Sequence, residues 1–208
     1  MLTFDLALSF FGIAVLLALA PGPDNLFVLM QSALWGRTSG LMVVAGLCTG
    51  LIGHTLAVTA GLAAVFAASQ TAFTVLKLAG ALYLLYLAWD AFRAQGQTQH
   101  SEHSPRLSAG ALYRRGIIMN LSNPKVSLFF LAFLPQFTSP TRGSVALQTL
   151  GLGALFMLAT LLVFGALAWF SGTLGERLKT SHTLQRLLNR LAALVFLGLA
   201  VKLALSSR

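Results

Sequence analysis

Long apolar runs, each close to the length that crosses a bilayer, constrain this chain more than any other feature. About 20 apolar residues span the hydrocarbon core as a helix. Only 9% of the 208 residues are charged, whereas soluble domains carry about 25%. The sequence therefore predicts an all-α membrane protein with one transmembrane domain over 1–208. Six spans are predicted, at residues 4–35, 40–66, 72–89, 116–137, 145–170 and 184–205.

Two of the six spans are interrupted at matching places. Pro21, Gly22 and Pro23 interrupt the first span, and Asn123 and Pro124 interrupt the fourth. Each is the first span of a group of three, and an odd number of spans per group inserts the second group upside down. Paired broken helices in inverted repeats are typical of transporters. We expect repeat one over about 1–93, a polar cytoplasmic loop over about 94–113, and repeat two over about 114–208.

Basic residues predict how the spans are oriented. Lys and Arg accumulate in cytoplasmic loops, and Trp favours the membrane interface. Trp35, Trp89 and Trp169 fall near the same predicted side. That side carries nine basic residues and the other carries three: Arg37, Arg93, Arg106, Arg114, Arg115, Arg177, Lys179, Arg186 and Arg190, against Arg142, Lys202 and Arg208. We expect a bacterial inner-membrane protein with both termini in the periplasm. The net charge of +9 then indicates lipid headgroups, not nucleic acid, as the partner.

The first candidate site lies at the break in span one. Asp24 is the only acid at mid-membrane depth, where an aspartate costs about 2.5–3.5 kcal/mol. It follows Pro21, Gly22 and Pro23 and precedes Asn25, so that it could bind substrate or carry a proton. The alternative is a structural helix cap, because an acid at a helix start is favoured by the helix dipole.

The second candidate site lies at the break in span four and comprises Asn120, Asn123, Pro124 and Lys125. Lys125 is about ten residues from either end of its span, and a buried lysine needs a partner. We hypothesise that it pairs with Asp24 or lies near it. Asp24 would then take the ammonium of a zwitterion, and Lys125 with the following helix start would take its carboxylate. A purely structural pair is the alternative.

Other polar residues in the spans are weaker candidates. Gln31 could line a cavity, as could Gln136, Thr49, Thr55 and Thr59, although a threonine equally often bonds its own helix. His54 could relay protons, but it stands beside Gly46, Gly50 and Gly53, which favours a packing role. Glycines at this spacing let another helix approach closely, within the bundle or in a homodimer.

Several kinds of chemistry have no motif in this sequence. It contains no glycine-rich phosphate loop, no H-E-x-x-H and no G-x-S-x-G. Its single cysteine, Cys48, allows no internal disulfide, and no ligand cluster within the spans indicates a metal site. We therefore expect neither an enzyme nor a cofactor.

The chain resembles the LysE/RhtB family of bacterial amino-acid exporters in four motifs, which follow one another over nearly its whole length. They are PGPD at 21–24, GRTSGL at 36–41, KLAGALYLLYLA at 77–88 and NLSNPK at 120–125. Ala88 is a mild departure, since the family often has Gly there. The resemblance implies amino-acid efflux across the inner membrane, driven by protons in an antiport cycle. The alternatives are an exporter of another small metabolite or a metal ion, and a membrane enzyme or scaffold that transports nothing.

Overall fold

The computed structural model describes residues 2–20, 22–62, 70–93, 106–171 and 182–205. Over these ranges the backbone forms helices and short connections, and none of the described residues belongs to a strand. Eight α-helices are described: α1 Phe4–Leu19, α2 Pro23–Trp35, α3 Arg37–Ala57, α4 Gln70–Arg93, α5 Ala109–Ser122, α6 Pro124–Leu128, α7 Val145–Trp169 and α8 His182–Leu205.

Two of these α-helices continue as π-helical or 3-10 turns. A π-helical turn, Val58–Leu62, extends α3. A second π-helical turn, Phe129–Phe133, and a 3-10 turn, Leu134–Phe137, extend α6. A 3-10 turn at Pro140–Arg142 precedes α7.

The helix bounds agree closely with the predicted spans, with two differences. The second span was predicted to reach residue 66, but residues 63–69 lie outside the described ranges. Helix α5 begins at Ala109, inside the stretch assigned to the cytoplasmic loop. Ser108 explains this early start, because its hydroxyl accepts a hydrogen bond of 3.3 Å from the Ala111 backbone N–H and caps the helix. Loop residues 94–105 lie outside the described ranges.

Both predicted breaks are present. The chain bends by 64° between α1 and α2, and by 50° between α5 and the α6 segment. Gly22 has an extended backbone and Pro23 occupies the first turn of α2, where its missing N–H costs nothing. Asn123 separates α5 from α6 with an extended backbone, as expected for a residue before a proline.

Two helices in the described ranges are long and apolar enough to cross a membrane alone, α7 and α3 with its extension to Gly61. The count rises to four if each bent pair is one span. Large apolar side chains also face outward: Leu82 and Leu194 are each 65% exposed, and Leu147 is 69% exposed. Such a surface is compatible with lipid, not with water, as in a multi-pass membrane protein.

The helices pack around a centre formed by α2, α3 and α7. Helix α3 contacts α5 extensively and also contacts α7 and α2. Helix α7 also contacts α1 and α2, while α4 and α8 form a separate close pair that touches the rest through α1 and the π-helical turn after α6. The helix break therefore places α2 between α3 and α7.

The α3–α5 crossing is close because glycines form it. A Cβ on Gly46 would overlap the Tyr113 carbonyl oxygen, and a Cβ on Gly116 would overlap that of Val43. One turn further along α3, a Cβ on Gly50 would lie 2.7 Å from the Asn120 amide oxygen. The glycine-spaced face of α3 therefore packs inside the bundle, which is one of the two uses predicted for it.

Candidate functional site

The two helix breaks meet inside the bundle. Asp24, in the first turn of α2, is 5% exposed, and Asn123 at the second break is 8% exposed. The Asn123 side-chain N–H donates a hydrogen bond of 2.8 Å to Asp24 Oδ2. Residues 99 positions apart thus join the first break to the second, as the paired prolines predicted.

Asn123 serves both breaks with one side chain. Its amide oxygen accepts a hydrogen bond of 3.0 Å from the Lys125 backbone N–H and so caps α6. Its amide nitrogen is the group that contacts Asp24. Any movement of the α6 start relative to the α2 start must therefore break or lengthen one of these two bonds.

Lys125 lies near Asp24 but does not pair with it directly. Its ammonium donates hydrogen bonds of 3.3 Å each to the carbonyl oxygens of Leu17 and Ala20. These carbonyls end α1, where a helix leaves its last oxygens without intrahelical partners and where its dipole attracts a cation. Lys125 and Asp24 therefore lie near each other, as one of the two hypothesised arrangements requires. The described residues show no direct ion pair between them within 4.0 Å. An ammonium has three N–H donors, so one is left over from these two bonds.

Asp24 and Lys125 line one small cavity between the breaks, the break-site cavity. Its volume is about 20 Å³, which is room for about one water molecule. The smallest amino acid has five non-hydrogen atoms and would not fit without a movement of the helices. Its walls come from α1, α2, α3, α5, α6 and α7: Leu17, Ala18, Asp24, Leu47, Asn120, Lys125, Val126, Phe156, Thr160 and Phe164.

Buried acceptor oxygens concentrate around this cavity. Asp24 Oδ1, Asn25 Oδ1 and Asn120 Oδ1 are buried and have no hydrogen-bond partner in the described part of the chain. The amide nitrogen of Asn25 is bonded to the Ala18 carbonyl at 2.8 Å, which orients its oxygen away from that carbonyl. An unpartnered buried acceptor costs about 1–3 kcal/mol. A ligand rich in N–H or O–H donors, such as an ammonium, would satisfy these oxygens.

The remaining predicted residues that the structure describes are not among those that line the cavity. Gln31 is 2% exposed and lies two turns along α2 from Asp24. His54 Nε2 donates to the Asn120 carbonyl at 3.3 Å, and its ring lies 5.5 Å from that of Phe130, which is a packing environment. Gly22 lies beside the Lys125 side chain: a Cβ added to Gly22 would be 3.5 Å from the Lys125 ammonium nitrogen. Pro23 and Pro124 each start the helix that follows, and Pro21 lies outside the described residues.

The sequence interpretation missed the contribution of α7. Thr160, Phe156 and Phe164 line the cavity, although their span was predicted only as an unbroken apolar helix. Thr160, 4% exposed, is a polar residue inside that run and was the available signal. The threonines that were named instead, together with Gln136, bond carbonyls of their own helices: Thr49 to Ala45, Thr55 to Leu51, Thr59 to Thr55 and Gln136 to Ala132.

The two ends of the bundle close the cavity in different ways. Beyond Phe156, a cluster of phenylalanines in tilted and edge-to-face contact fills the space between α1, α6 and α7; its other members are Phe10, Phe129, Phe130, Phe133 and Phe137. At the opposite end, Arg37 stacks over the Trp169 ring at 4.3 Å and Arg115 over the Phe27 ring at 4.7 Å. Trp169 and Arg37 therefore share one end of the bundle, as the orientation argument predicted for that Trp and that Arg.

Comparisons with known proteins agree with this architecture. The profile of the LysE type translocator family matches residues 15–207. The chain is 32% identical over 197 residues to an uncharacterized membrane protein of Vibrio cholerae, covering 95% of each chain. It is 34% identical over 177 residues to a homoserine/homoserine lactone efflux protein of Salmonella typhimurium, covering 85% of this chain and 84% of that protein.

A further relative is an uncharacterized membrane protein of Bacillus subtilis, 28% identical over 208 residues, with 96% of this chain and 98% of that protein covered. No solved structure matches. The family profile spans both helix breaks, the break-site cavity and nearly the whole bundle. The chain therefore belongs to the LysE type translocator family, whose members are transporters and not enzymes.

Proposed function

We propose that this protein is a secondary active exporter of amino acids or their close derivatives, coupled to protons, in the bacterial inner membrane. The observation that carries the proposal is the meeting of two broken helices at Asp24 and Asn123, beside a cavity with unpartnered acceptor oxygens. Broken helices that face each other are how many secondary transporters form a substrate site at the midplane.

The proposed topology has six spans in two inverted repeats. In it, α1–α2, α3 and α4 correspond to α5–α6, α7 and α8. If each helix is replaced by its counterpart in the other repeat, the α3–α5 contact becomes the α7–α1 contact. The α3–α7 and α4–α8 contacts each become themselves. All four contacts are among the extensive ones in the bundle, which supports the proposal. Helices α4 and α8, with 24 residues each, cover about 36 Å and serve as the third and sixth spans, with both chain termini periplasmic.

The proposed substrate is a zwitterion or an amine derived from one. Asp24 Oδ1 and Asn120 Oδ1 present acceptors to the substrate ammonium, and the remaining N–H of Lys125 faces its carboxylate. Homoserine and its lactone are the first compounds to test, because the Salmonella relative is named for their efflux. Both carry an α-ammonium group and only homoserine carries a carboxylate, so that the Asp24 side of the site would be the shared determinant.

Asp24 is also the proposed proton carrier. Its Oδ1 is buried without a partner among the described residues, so that the same oxygen offers a place either to a proton or to a substrate ammonium. Alternate binding of a proton and a substrate amine at one carboxylate would couple the two fluxes in opposite directions.

Export of a metal ion has less support. No three side chains of His, Cys, Asp or Glu gather in the part of the chain that the structure describes, and metals in protein sites usually have several such ligands. Another small metabolite with an amine remains the second candidate, since the acceptor oxygens would bind its N–H groups equally well.

Efflux from proteoliposomes tests the proposal. Homoserine loaded into the vesicles should leave faster when the outside is made more acidic than the inside. Asp24→Asn should slow this efflux by about 10- to 100-fold. This is the effect expected when a hydrogen bond to a charged group, worth about 1.5–3 kcal/mol, is lost. Asp90→Asn is the matched control, because Asp90 is an exposed acid at the end of α4. Efflux by Asp24→Asn that keeps its full pH dependence would exclude Asp24 as the proton carrier.

A further inference from the structure

One face of α2 continues from the cavity toward the end of the bundle where Trp169 lies. Asp24, Val28, Gln31 and Trp35 are spaced by four, three and four residues, so that they form one stripe on an α-helix. Asp24 is 5% exposed, Val28 0% and Gln31 2%. We call this stripe the α2 path face, and it extends over about 16 Å.

Polar atoms without partners recur along the α2 path face. Asp24 Oδ1, Gln31 Oε1 and Trp35 Nε1 are all buried, and none has a hydrogen-bond partner within the described ranges. These are three of the five buried side-chain atoms of this kind found in the described structure. Native structures seldom leave such atoms unpaired. Their alignment on one helix face indicates that this face contacts water in another conformation of the protein.

The neighbouring helices run alongside this face in register. Leu47 of α3 and Thr160 of α7 line the cavity together with Asp24. At the other end, the start of α3 and the end of α7 meet where Arg37 stacks on Trp169. Near that end, a Cβ on Gly40 would meet both Ser32 and Ala168. The path face therefore lies against α3 and α7 from the cavity to this end.

The cavity is closed on this side by an apolar cluster that includes Val28, Leu47, Phe164 and Ala168. Phe164 is 5% exposed, lines the cavity and lies one turn beyond Thr160 toward the Trp169 end. The other side of the cavity is filled by the phenylalanine cluster, whose rings contact each other at tilted or edge-to-face angles with centroids 5.0–5.7 Å apart at most contacts.

We propose that the α2 path face is the access route to Asp24 from the membrane side where Trp35 lies, and that Gln31 with Trp35 forms a separate subsite on it. The Gln31 side-chain oxygen accepts from the ammonium of a small zwitterion, and the Trp35 indole N–H donates to its carboxylate. Displacement of Phe164 and of the apolar side chains packed with it connects this subsite to the break-site cavity. The identity of the ligand rests on the proposed amino-acid export; the route itself does not.

Thiol labelling from one side of the membrane tests the route. Cys48, the single native cysteine, is first replaced in a Cys48→Ala background. Gln31→Cys then probes the path face, and Leu34→Cys is the matched control on the same helix because Leu34 is 45% exposed on the bundle surface. Thr38→Cys, at the exposed start of α3, identifies the side of the membrane. The probe is a charged, membrane-impermeant methanethiosulfonate, applied to right-side-out and inside-out vesicles.

We expect Gln31→Cys to react from the side that labels Thr38→Cys, at least ten-fold faster than Leu34→Cys. We expect millimolar homoserine to slow the labelling of Val28→Cys, in which the Gln31 and Trp35 subsite is intact. An exporting Gln31→Cys variant that is unlabelled from that side, or labelled only from the opposite side, overturns the route. Val28→Cys, one turn nearer Asp24 on the same face, replaces Gln31→Cys if the latter does not accumulate. Labelling that no amino acid slows supports the route and contradicts the amino-acid ligand, so the two proposals fail separately.

Discussion

Asp24 and Asn123 are joined by a hydrogen bond of 2.8 Å that connects the start of α2 to the start of α6. Each residue stands at a helix break, where backbone groups lack their usual partners. The bond makes the two breaks one structural unit, so that protonation or ligand binding at Asp24 acts directly on the cap of α6.

Replacement of Asn123 separates its two roles. Asn123→Ala removes the α6 cap, worth about 0.5–2 kcal/mol, and leaves Asp24 Oδ2 without a donor, at about 1–3 kcal/mol. Asn123→Ser keeps a capping oxygen but is too short to reach Asp24. We expect thermal unfolding in detergent to rank wild type above Asn123→Ser and Asn123→Ser above Asn123→Ala. Equal stability of the serine variant and wild type would show that the bond to Asp24 contributes nothing.

Replacement of Lys125 tests its role at the end of α1. Lys125→Met leaves the Leu17 and Ala20 carbonyls without this donor, and we expect a loss of about 1–3 kcal/mol together with a loss of efflux. Lys125→Arg retains the positive charge and several N–H donors, so its unfolding temperature should stay close to wild type. If the Lys125→Met variant is as stable toward unfolding as Lys125→Arg, the hydrogen bonds from Lys125 to the two carbonyls do not contribute to stability.

Glycine substitutions test the α3–α5 crossing. Gly46→Ala places a Cβ onto the Tyr113 carbonyl and the Gly116 backbone, and such overpacking costs about 1–3 kcal/mol. Gly198→Ala is the matched control, because a Cβ there meets nothing within 4 Å and alanine is the better helix former by about 0.8–1 kcal/mol. Differential scanning fluorimetry should show opposite shifts for the two variants. A Gly46→Ala variant as stable as wild type would contradict the close approach of the helices.

Two glutamines should differ sharply in their contribution to stability. Gln148 is 2% exposed and bonds the Ser139 N–H at 3.0 Å and the Ser139 and Gly143 carbonyls at 2.9 and 3.1 Å. Its side chain thus holds the connection between the α6 segment and α7. Gln148→Ala should lower the free energy of unfolding by about 2–4 kcal/mol, as several net hydrogen bonds are lost and backbone groups are left unpaired.

Gln136→Ala is the control for that measurement, since the Gln136 amide bonds only the Ala132 carbonyl of its own helix among the hydrogen bonds described for it. We expect a change within about 1 kcal/mol. Denaturant titration of both variants in the same detergent compares them directly, and similar losses would mean that the Gln148 contacts to the connection are dispensable.

Features that depend on neighbours along the chain were predictable from the sequence. The apolar runs predicted most helix ends to within a few residues, with the start of α5 as the exception, and Pro23 and Pro124 predicted both breaks. Helix propensity and the missing proline N–H act locally, which makes such features predictable. Asp24, Asn120 and Lys125, three of the predicted site residues, do line one cavity. Matching breaks in the two halves were enough to suggest that these residues meet.

Contacts between helices were decided only by the tertiary structure. Lys125 bonds carbonyls of α1 and not the Asp24 carboxylate, and the glycines of α3 receive α5. Thr160 and Phe164 reach the cavity because of how α7 is rotated about its axis. A helix with so few polar residues has no continuous polar face, so that Thr160 alone was a weak sign of this rotation. The local chain chemistry therefore determined where the helices run and break, whereas packing between distant segments decided which side chains meet there.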